Sequence, residues 1–158
     1  GFVGLLGLFF LLIYSYYSHI LIPHTYFHNI LILATGLFLF VYFIKNLNFL
    51  SFKILLINFS FLFLILLLFK THDDFPYYHF PYTYYLTQNS SFIGIGQFNH
   101  GFRTPSSLFY FNSLFYLPII KFHLFHIGSA ILYGSTIYIF FSIVNFIKPS
   151  ITPCEIYS

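Results

Sequence analysis

The sequence predicts an all-α, polytopic helical membrane protein with about four transmembrane helices and an outer-face loop carrying short amphipathic helices. Of its 158 residues, 59% are hydrophobic and only 6% are charged. A soluble domain carries about 25% charged residues, so this chain has too few charges to cover a surface that faces water. Apolar runs long enough to enter or cross a hydrocarbon core of about 30 Å recur along the chain.

The first part of the chain, residues 1–69, is predicted to hold three transmembrane helices, at 2–22, 30–44 and 54–69. The loop at 23–29 carries no Lys or Arg, whereas the turn after the second run carries Lys45 and Lys53. Because short cytoplasmic loops are rich in Lys and Arg, this difference places the N-terminus in the cytoplasm. The segment 70–118 then lies on the outer side.

The outer segment 70–118 is rich in Pro, Gly, Asn and His, and its hydrophobic residues are mainly aromatic. An amphipathic interfacial helix is predicted over 75–88, started by Pro76 and interrupted by Pro81. A second short amphipathic helix is predicted over 106–116. Three glycines between the two helices predict a flexible loop, at Gly94, Gly96 and Gly101.

The last part of the chain is predicted to be a fourth transmembrane helix at 119–148 and a polar tail at 149–158. The chain begins at Gly1 rather than Met, and we expect it to be a fragment of a longer protein. Its net charge of +3 is slight and indicates juxtamembrane lysines rather than a nucleic-acid surface. The single cysteine, Cys154, excludes an internal disulfide and a multi-cysteine metal site.

Two carboxylates side by side, Asp73 and Asp74, are the strongest candidates for a catalytic site. They are two of only three acidic residues in the chain, and they directly follow a membrane-length apolar run. Unsatisfied carboxylates at such a place are costly. The pair could act as a general base, bind a divalent cation, or cap the following helix. An N-cap followed by Pro is ordinary for Asp74, so capping explains Asp73 least well.

Four further polar residues of the outer segment could complete such a site. His72 and His79 flank the acidic pair and would support it, although interfacial histidines are the simpler interpretation. His100 and Arg103 lie in the glycine-rich loop, where a guanidinium suits a phosphate or pyrophosphate. The alternative for this cation is a contact with lipid phosphate.

Histidines also cluster near the outer ends of the first two runs, at His19, His24 and His28. Paired histidines in membrane helices can hold haem. These lie where Tyr and His commonly sit for amphipathic reasons, so we expect interfacial side chains rather than haem ligands.

The segments 71–81 (THDDFPYYHFP) and 96–107 (GQFNHGFRTPSS) resemble a family of uncharacterised bacterial polytopic membrane proteins, which in turn resembles the GT-C class of lipid-linked-sugar glycosyltransferases. The resemblance implies that Asp73 or Asp74 acts as base on the acceptor or binds a metal. It also implies a polyprenyl-phosphate sugar as donor, with His100 or Arg103 at its phosphate. The location implied is the bacterial inner membrane, with 70–118 periplasmic.

Two departures from the GT-C pattern keep other functions open. GT-C enzymes usually have more spans, and typically one span precedes the acidic loop rather than three. The chain could instead be a transport or assembly subunit in which the acidic pair gates or binds a cation. It could also be a structural membrane subunit without catalytic activity, with membrane lipid as its main partner.

Overall fold

A computed structural model describes residues 2–45, 52, 56, 60, 73–91 and 93–147. In this part the chain forms helices joined by turns, with one isolated bridge between Leu117 and Lys121. The prediction of an all-α protein is confirmed. The predicted third transmembrane helix lies almost wholly outside the described residues, and so does the predicted polar tail.

The first two predicted spans are helices. Helix α1 is Phe2–Leu21 and helix α2 is Tyr26–Ile44. Helix α2 begins earlier than predicted because Thr25 caps it, its side-chain oxygen accepting a hydrogen bond from the His28 N–H at 3.5 Å. The connection between α1 and α2 is therefore a tight turn rather than a loop over 23–29.

Both helices expose most of their apolar surface. The windows Gly4–Leu21 and Tyr26–Ile44 are long and apolar enough to cross a membrane, and only 11% and 6% of them are buried. Exposed apolar area of this extent marks contact with lipid or with another protein. Within the described part, these two helices suggest a membrane protein, while the count of four spans stays a prediction.

The predicted helix over 75–88 is present but divided in two. Phe75–His79 forms one turn of π-helix, and helix α3 follows as Phe80–Gln88. Pro76 and Pro81 lie in the first turns of these two pieces. Because Pro81 has no N–H to donate to the preceding turn, the hydrogen-bond pattern has to change there, and the wider π-turn accommodates the change.

Helix α4, Ser107–Ser113, begins where predicted but is not amphipathic. Ser106 caps it by accepting a hydrogen bond from the Leu108 N–H at 3.2 Å. Its five consecutive residues from Phe109 to Ser113 are all buried. The reason is that α4 lies between α1, α3 and the last helix, so all sides of its last five residues have a neighbour. The two polar residues of this run look like a surface face in the sequence but find partners inside.

The last helix, α5, is Ile127–Ile147 and begins later than the predicted fourth span. The segment before it forms turns, including a 3₁₀ turn at Phe122–Leu124. Two apolar clusters hold the fold together. One lies between α3 and α4, and the other joins α4 to α1; their buried members are Tyr82, Leu86, Phe109 and Tyr110 in the first and Leu8, Phe111 and Leu114 in the second.

A layer of hydrogen bonds joins α1, α2, α4 and α5. Tyr14 Oη of α1 lies 3.1 Å from His28 Nε2 of α2, and Asn29 Nδ2 of α2 donates to the Ser113 carbonyl of α4 at 2.9 Å. The N–H of Gly128 in α5 donates to Asn112 Oδ1 of α4 at 3.0 Å. We call these residues the polar layer. The apolar part of α1 ends just before it, and those of α2 and α5 begin just after it. Such a change in polarity at the same place in several helices is typical of a lipid–water boundary.

Candidate functional site

The acidic pair lies on the turn that starts the π-helix. Asp73 is exposed, and Asp74 is half-buried at the N-cap position, where its side chain makes no capping hydrogen bond. Instead, Tyr78 Oη donates a hydrogen bond to Asp74 Oδ2 at 3.3 Å. Burial and the Asp74 carboxylate raise the pKa of the Tyr78 hydroxyl, so it remains a donor at neutral pH. The Asp74 side chain is thus held by Tyr78 rather than used as a cap.

The turn that carries His100 and Arg103 packs on the π-helix that follows the acidic turn. Gly101 lies against Tyr78 so closely that a Cβ at Gly101 would overlap the Tyr78 side chain, 2.5 Å from its Cγ and 3.0 Å from its Cδ1. Arg103 Nε donates a hydrogen bond to the carbonyl of Gly96 at 3.3 Å, which holds the arginine stem along the loop. Both His100 and Arg103 are exposed. The structure therefore sets these two residues on a turn that packs against Tyr78, the residue that holds Asp74.

We call these neighbouring turns the acid–cation surface, comprising Asp73, Asp74, Tyr78, Gly101, His100 and Arg103. Asn99 shapes the second turn, because its Oδ1 accepts a hydrogen bond from the Gly101 N–H at 2.8 Å. An acid and a cation on adjacent exposed turns can meet the two ends of one polar substrate. In this arrangement a carboxylate can act as a base on one group of the substrate, and the arginine can bind an anionic group at its other end.

The two supporting histidines differ in what the structure shows. The His79 ring lies in an aromatic environment, 4.4 Å from the Tyr78 ring and 5.0 Å from the Phe109 ring between centroids. It therefore supports the acid–cation surface by packing against Tyr78. His72 lies outside the described residues.

A divalent cation at the acidic pair remains a prediction. Among the residues that the structure describes, no group of three or more His, Cys, Asp and Glu side chains is arranged to hold a metal ion. Two carboxylates can still contribute to a Mg²⁺ site when oxygens of a substrate phosphate complete the coordination.

A second polar cluster was not predicted from the sequence. His19 and His24 are fully buried rather than interfacial. His24 Nδ1 lies 2.6 Å from Ser113 Oγ, and its Nε2 lies 2.9 Å from Ser18 Oγ. Because the Ser113 hydroxyl donates to the Tyr110 carbonyl at 2.7 Å, it accepts from His24 Nδ1–H. Because burial lowers the pKa of His24, its ring is neutral, and Nε2 accepts from the Ser18 hydroxyl in preference to the longer bond of that hydroxyl to the Ser15 carbonyl at 3.3 Å.

His19 makes the corresponding connection to the end of α3. Its Nε2 donates to the carbonyls of Leu86 (3.0 Å) and Asn89 (2.9 Å), and its Nδ1 accepts from Ser91 Oγ (2.9 Å). The backbone N–H of His24 also donates to the Leu86 carbonyl, at 3.0 Å. These bonds tie the α1–α2 turn to the outer segment.

The three rings form one cluster that we call the histidine clasp, comprising His19, His24 and His28, in which His24 stacks on His28 and meets His19 edge to face. The ring of His24 lies 5.1 Å from that of His19, and 5.0 Å from that of His28 with an angle of 3° between the ring planes. All buried side-chain polar atoms among the described residues have a hydrogen-bond partner. The hydrogen bonds of the clasp thus stabilise the packing of the outer segment on the α1–α2 turn.

The clasp makes stability depend on pH. Burial, together with the neighbouring His19 and His28, lowers the pKa of His24 to about 3, against about 6.5 in an unfolded chain. Because the folded state disfavours the proton, stability is complete above pH ~6.5 and falls by about 1.4 kcal/mol for each pH unit below that value. We expect the Tm of the full chain in detergent, followed by circular dichroism, to fall between pH 7 and 5.

The variant His24→Asn tests this expectation. It should be less stable than the parent at pH 7 but lose less stability on acidification, because one of the two buried histidines of the clasp is gone while His19 remains. His126→Asn is the matched control, since His126 is exposed. An equal loss of Tm in the parent and in His24→Asn would contradict the assignment.

Comparison of the chain with protein-family models, with curated proteins and with solved structures gives no match. The geometry of the chain's own residues therefore carries the assignment of function.

Proposed function

We propose that the chain is an integral membrane glycosyltransferase-like protein of the GT-C type, or a fragment of one, acting on a lipid-linked sugar at the outer face of the membrane. The observation that supports the proposal is the packing of Gly101 on Tyr78, because it joins the turn that carries His100 and Arg103 to the π-helix that begins after Asp73 and Asp74. The location proposed is the periplasmic face of a bacterial inner membrane.

The acidic residues supply the base for transfer. The oxygen of an acceptor hydroxyl attacks C1 of the sugar, the bond from C1 to the phosphate oxygen breaks, and polyprenyl phosphate leaves with the electron pair. The hydroxyl proton passes to a carboxylate. Asp73 is the more exposed of the two and is assigned as base, while Asp74, held by Tyr78, supports it. A positioned base contributes about 10²–10⁴-fold to such a step.

Arg103 and His100 of the neighbouring turn face the phosphate. Its negative charge grows as the bond to C1 breaks, so a fixed cation stabilises the transition state more than the ground state. Arg103 presents its terminal nitrogens to the phosphate oxygens while its Nε holds the Gly96 carbonyl. His100 adds a hydrogen-bond donor from the same turn. A divalent cation bound by the two carboxylates would further neutralise this phosphate.

The membrane location is supported by the apolar surfaces of α1 and α2 and by the polar layer between them and the outer segment. A polyprenyl chain lies in the bilayer, so its phosphate reaches the protein at this boundary. The hydrogen bonds of His19 and His24 with the end of α3 put the α1–α2 turn on the same side as α3. That agrees with the orientation in which both are outside and the N-terminus is cytoplasmic.

The test is the double variant Asp73→Asn with Asp74→Asn in the full-length protein. Membranes that contain it are given a radiolabelled hexose linked to polyprenyl phosphate, and transfer of label and release of polyprenyl phosphate are measured. We expect transfer to fall by at least about 10²-fold, the contribution of a general base, while membrane insertion is unchanged. Glu155→Gln, at the third acidic residue of the chain, is the matched control. Transfer at the parent rate in the double variant would overturn the proposal.

The second candidate is a transport, assembly or structural membrane subunit without catalytic activity. It is favoured by the fully hydrogen-bonded clasp, which is complete without a ligand, and by apolar helix surfaces open to further helices. Cation-dependent flux in reconstituted vesicles without sugar transfer would identify a transport subunit. If the double variant changes only stability, by about 1 kcal/mol, the acidic pair has a structural role, through the hydrogen bond from Tyr78 to Asp74, in a structural subunit.

A further inference from the structure

One side chain before α5 has a backbone conformation that normally requires glycine. Lys121 has φ 51° and ψ −122°, and it is the sole non-glycine residue with positive φ among those described. These angles are those of the first central residue of a type II′ turn, which the His123 N–H closes by donating to the Ile120 carbonyl at 3.1 Å. A lysine there is strained, and strain of this kind is typical of residues retained for their side chain.

The same turn exposes apolar side chains at its tip. Ile119 is 95% exposed, and Ile120 and Phe122 are each 39% exposed. The backbone holds this tip in place, because the Lys121 N–H donates to the Leu117 carbonyl at 2.6 Å. Aliphatic side chains next to a lysine form the pattern of a membrane-interface contact, in which the apolar groups enter lipid and the ammonium reaches the headgroups.

Both ends of the turn are attached to the polar layer. On one side, the carbonyl of Tyr116 accepts a hydrogen bond from Asn29 Nδ2 at 3.0 Å. On the other side, the buried Phe125 ring lies 6.2 Å from the Tyr116 ring, and α5 enters the layer at Gly128. The turn therefore leaves the protein and returns to it at the boundary where the apolar parts of the helices begin.

We propose that the turn formed by residues 117–122, which we call the anchor turn, holds the protein at the membrane interface. Ile119 and Ile120 insert into the lipid, and the Lys121 ammonium binds the phosphate of an anionic lipid headgroup. That contact explains why lysine rather than glycine occupies a strained position. The inference uses the membrane location within the proposed function but not the sugar transfer, so each can fail without the other.

A single tryptophan at the tip tests the insertion. The chain contains no Trp, so Ile119→Trp reports on this position alone. The full chain is reconstituted in vesicles of phosphatidylcholine and phosphatidylglycerol, with bromine on the acyl chains in one set. We expect quenching by the brominated lipid and little quenching by aqueous iodide. The control Gln97→Trp, at an exposed polar position of the outer loop, should show the opposite.

Two other results with Ile119→Trp would overturn the anchor. Quenching by iodide alone would show that the tip faces water. Protection from both quenchers would show that another protein surface, or a second copy of this chain, covers it.

Substitutions at Lys121 test the headgroup contact. We expect Lys121→Gly to raise the Tm in detergent, because it removes the backbone strain, and yet to weaken the anchor in vesicles. When Lys121→Gly is combined with Ile119→Trp, the ratio of tryptophan quenching by brominated lipid to quenching by iodide should fall by about fivefold. That is the loss expected when one cation no longer contacts an anionic membrane surface. Lys121→Arg should retain the ratio, because it keeps the charge.

Lys45→Gly is the matched control for the effect on stability. Lys45 has φ −57°, where glycine relieves no strain, so its Tm should not rise. The proposed role of Lys121 would be overturned if Lys121→Gly lowered the Tm. It would also be overturned if the ratio of lipid to iodide quenching in Ile119→Trp were the same with and without phosphatidylglycerol.

Discussion

Replacing Asn29 with Ala is expected to lower the free energy of unfolding of the full chain by about 3 kcal/mol. Asn29 is 1% exposed, and its side-chain amide donates to three backbone carbonyls, those of His24, Ser113 and Tyr116, at 2.9–3.0 Å. Each buried acceptor that loses its donor costs about 1–3 kcal/mol. One side chain thus holds the start of α2, the α1–α2 turn and the end of α4 together.

The Asn29 side chain also orients the histidine clasp. Its Oδ1 lies 3.0 Å from His28 Nδ1, and the other nitrogen of that ring meets Tyr14 Oη at 3.1 Å. Because Asn29 Oδ1 can only accept, the His28 proton is on Nδ1 and the Tyr14 hydroxyl donates to Nε2. Losing Asn29 therefore also loosens His28, which stacks on His24.

Urea unfolding in detergent, followed by circular dichroism, measures this effect. Asn99→Ala is the matched control, because the Asn99 side chain makes one capping hydrogen bond, to Gly101, and its loss should cost about 1 kcal/mol. If both variants lose the same stability, the carbonyls around Asn29 find other donors and the polar layer is not what joins the helices.

Helix positions could largely be predicted from the sequence, because they depend on local patterns. The apolar runs gave α1, α2 and α5, and the caps at Thr25 and Ser106 use the residue types that favour such positions. Pro81 marked the interruption in the helix over 75–88. The widening of the preceding turn into a π-helix has no sequence signal of its own, because it depends on how the flanking turns are held.

The burial of the histidines could not be predicted, because their partners are far away in the sequence. His19 and His24 bond to residues of α3 and α4, and a histidine at the end of an apolar run looks the same whether lipid headgroups or protein surround it. One signal was available. Ser15, Ser18 and His19 lie at i, i+3 and i+4, so they form one polar face on an otherwise apolar helix. Such a face predicts a polar partner within the protein.

For the candidate site, too, the sequence predicts the local features but not the contacts between distant residues. The sequence places the acidic pair, His100 and Arg103 in one segment, and that is enough to propose a common site. It does not show which contact brings them together. Gly101 was predicted to make the loop flexible, whereas the structure uses its missing side chain to let two turns approach.

Replacing Gly101 with Ala is accordingly expected to reduce sugar transfer by about 10²-fold, the effect of a misplacement of about 1 Å in a site that needs both groups. A methyl group there overlaps the Tyr78 side chain and has to displace the turn that carries His100 and Arg103. The overlap should also lower the free energy of unfolding by about 1–3 kcal/mol. Transfer and release of polyprenyl phosphate are measured in membranes, as for the acidic variants.

Two control variants separate the displacement of the turn from general damage. Gly36→Ala places the same methyl group on α2, where no atom lies within 4 Å, so transfer should stay at the parent rate. Tyr78→Phe keeps the ring against Gly101 but removes the hydrogen bond to Asp74 Oδ2, so it should affect transfer less than Gly101→Ala does. If Gly101→Ala folds and transfers at the parent rate, catalysis does not need the two turns together. The acidic pair would then act without the cations of the neighbouring turn, and the phosphate would have to be bound elsewhere in the protein.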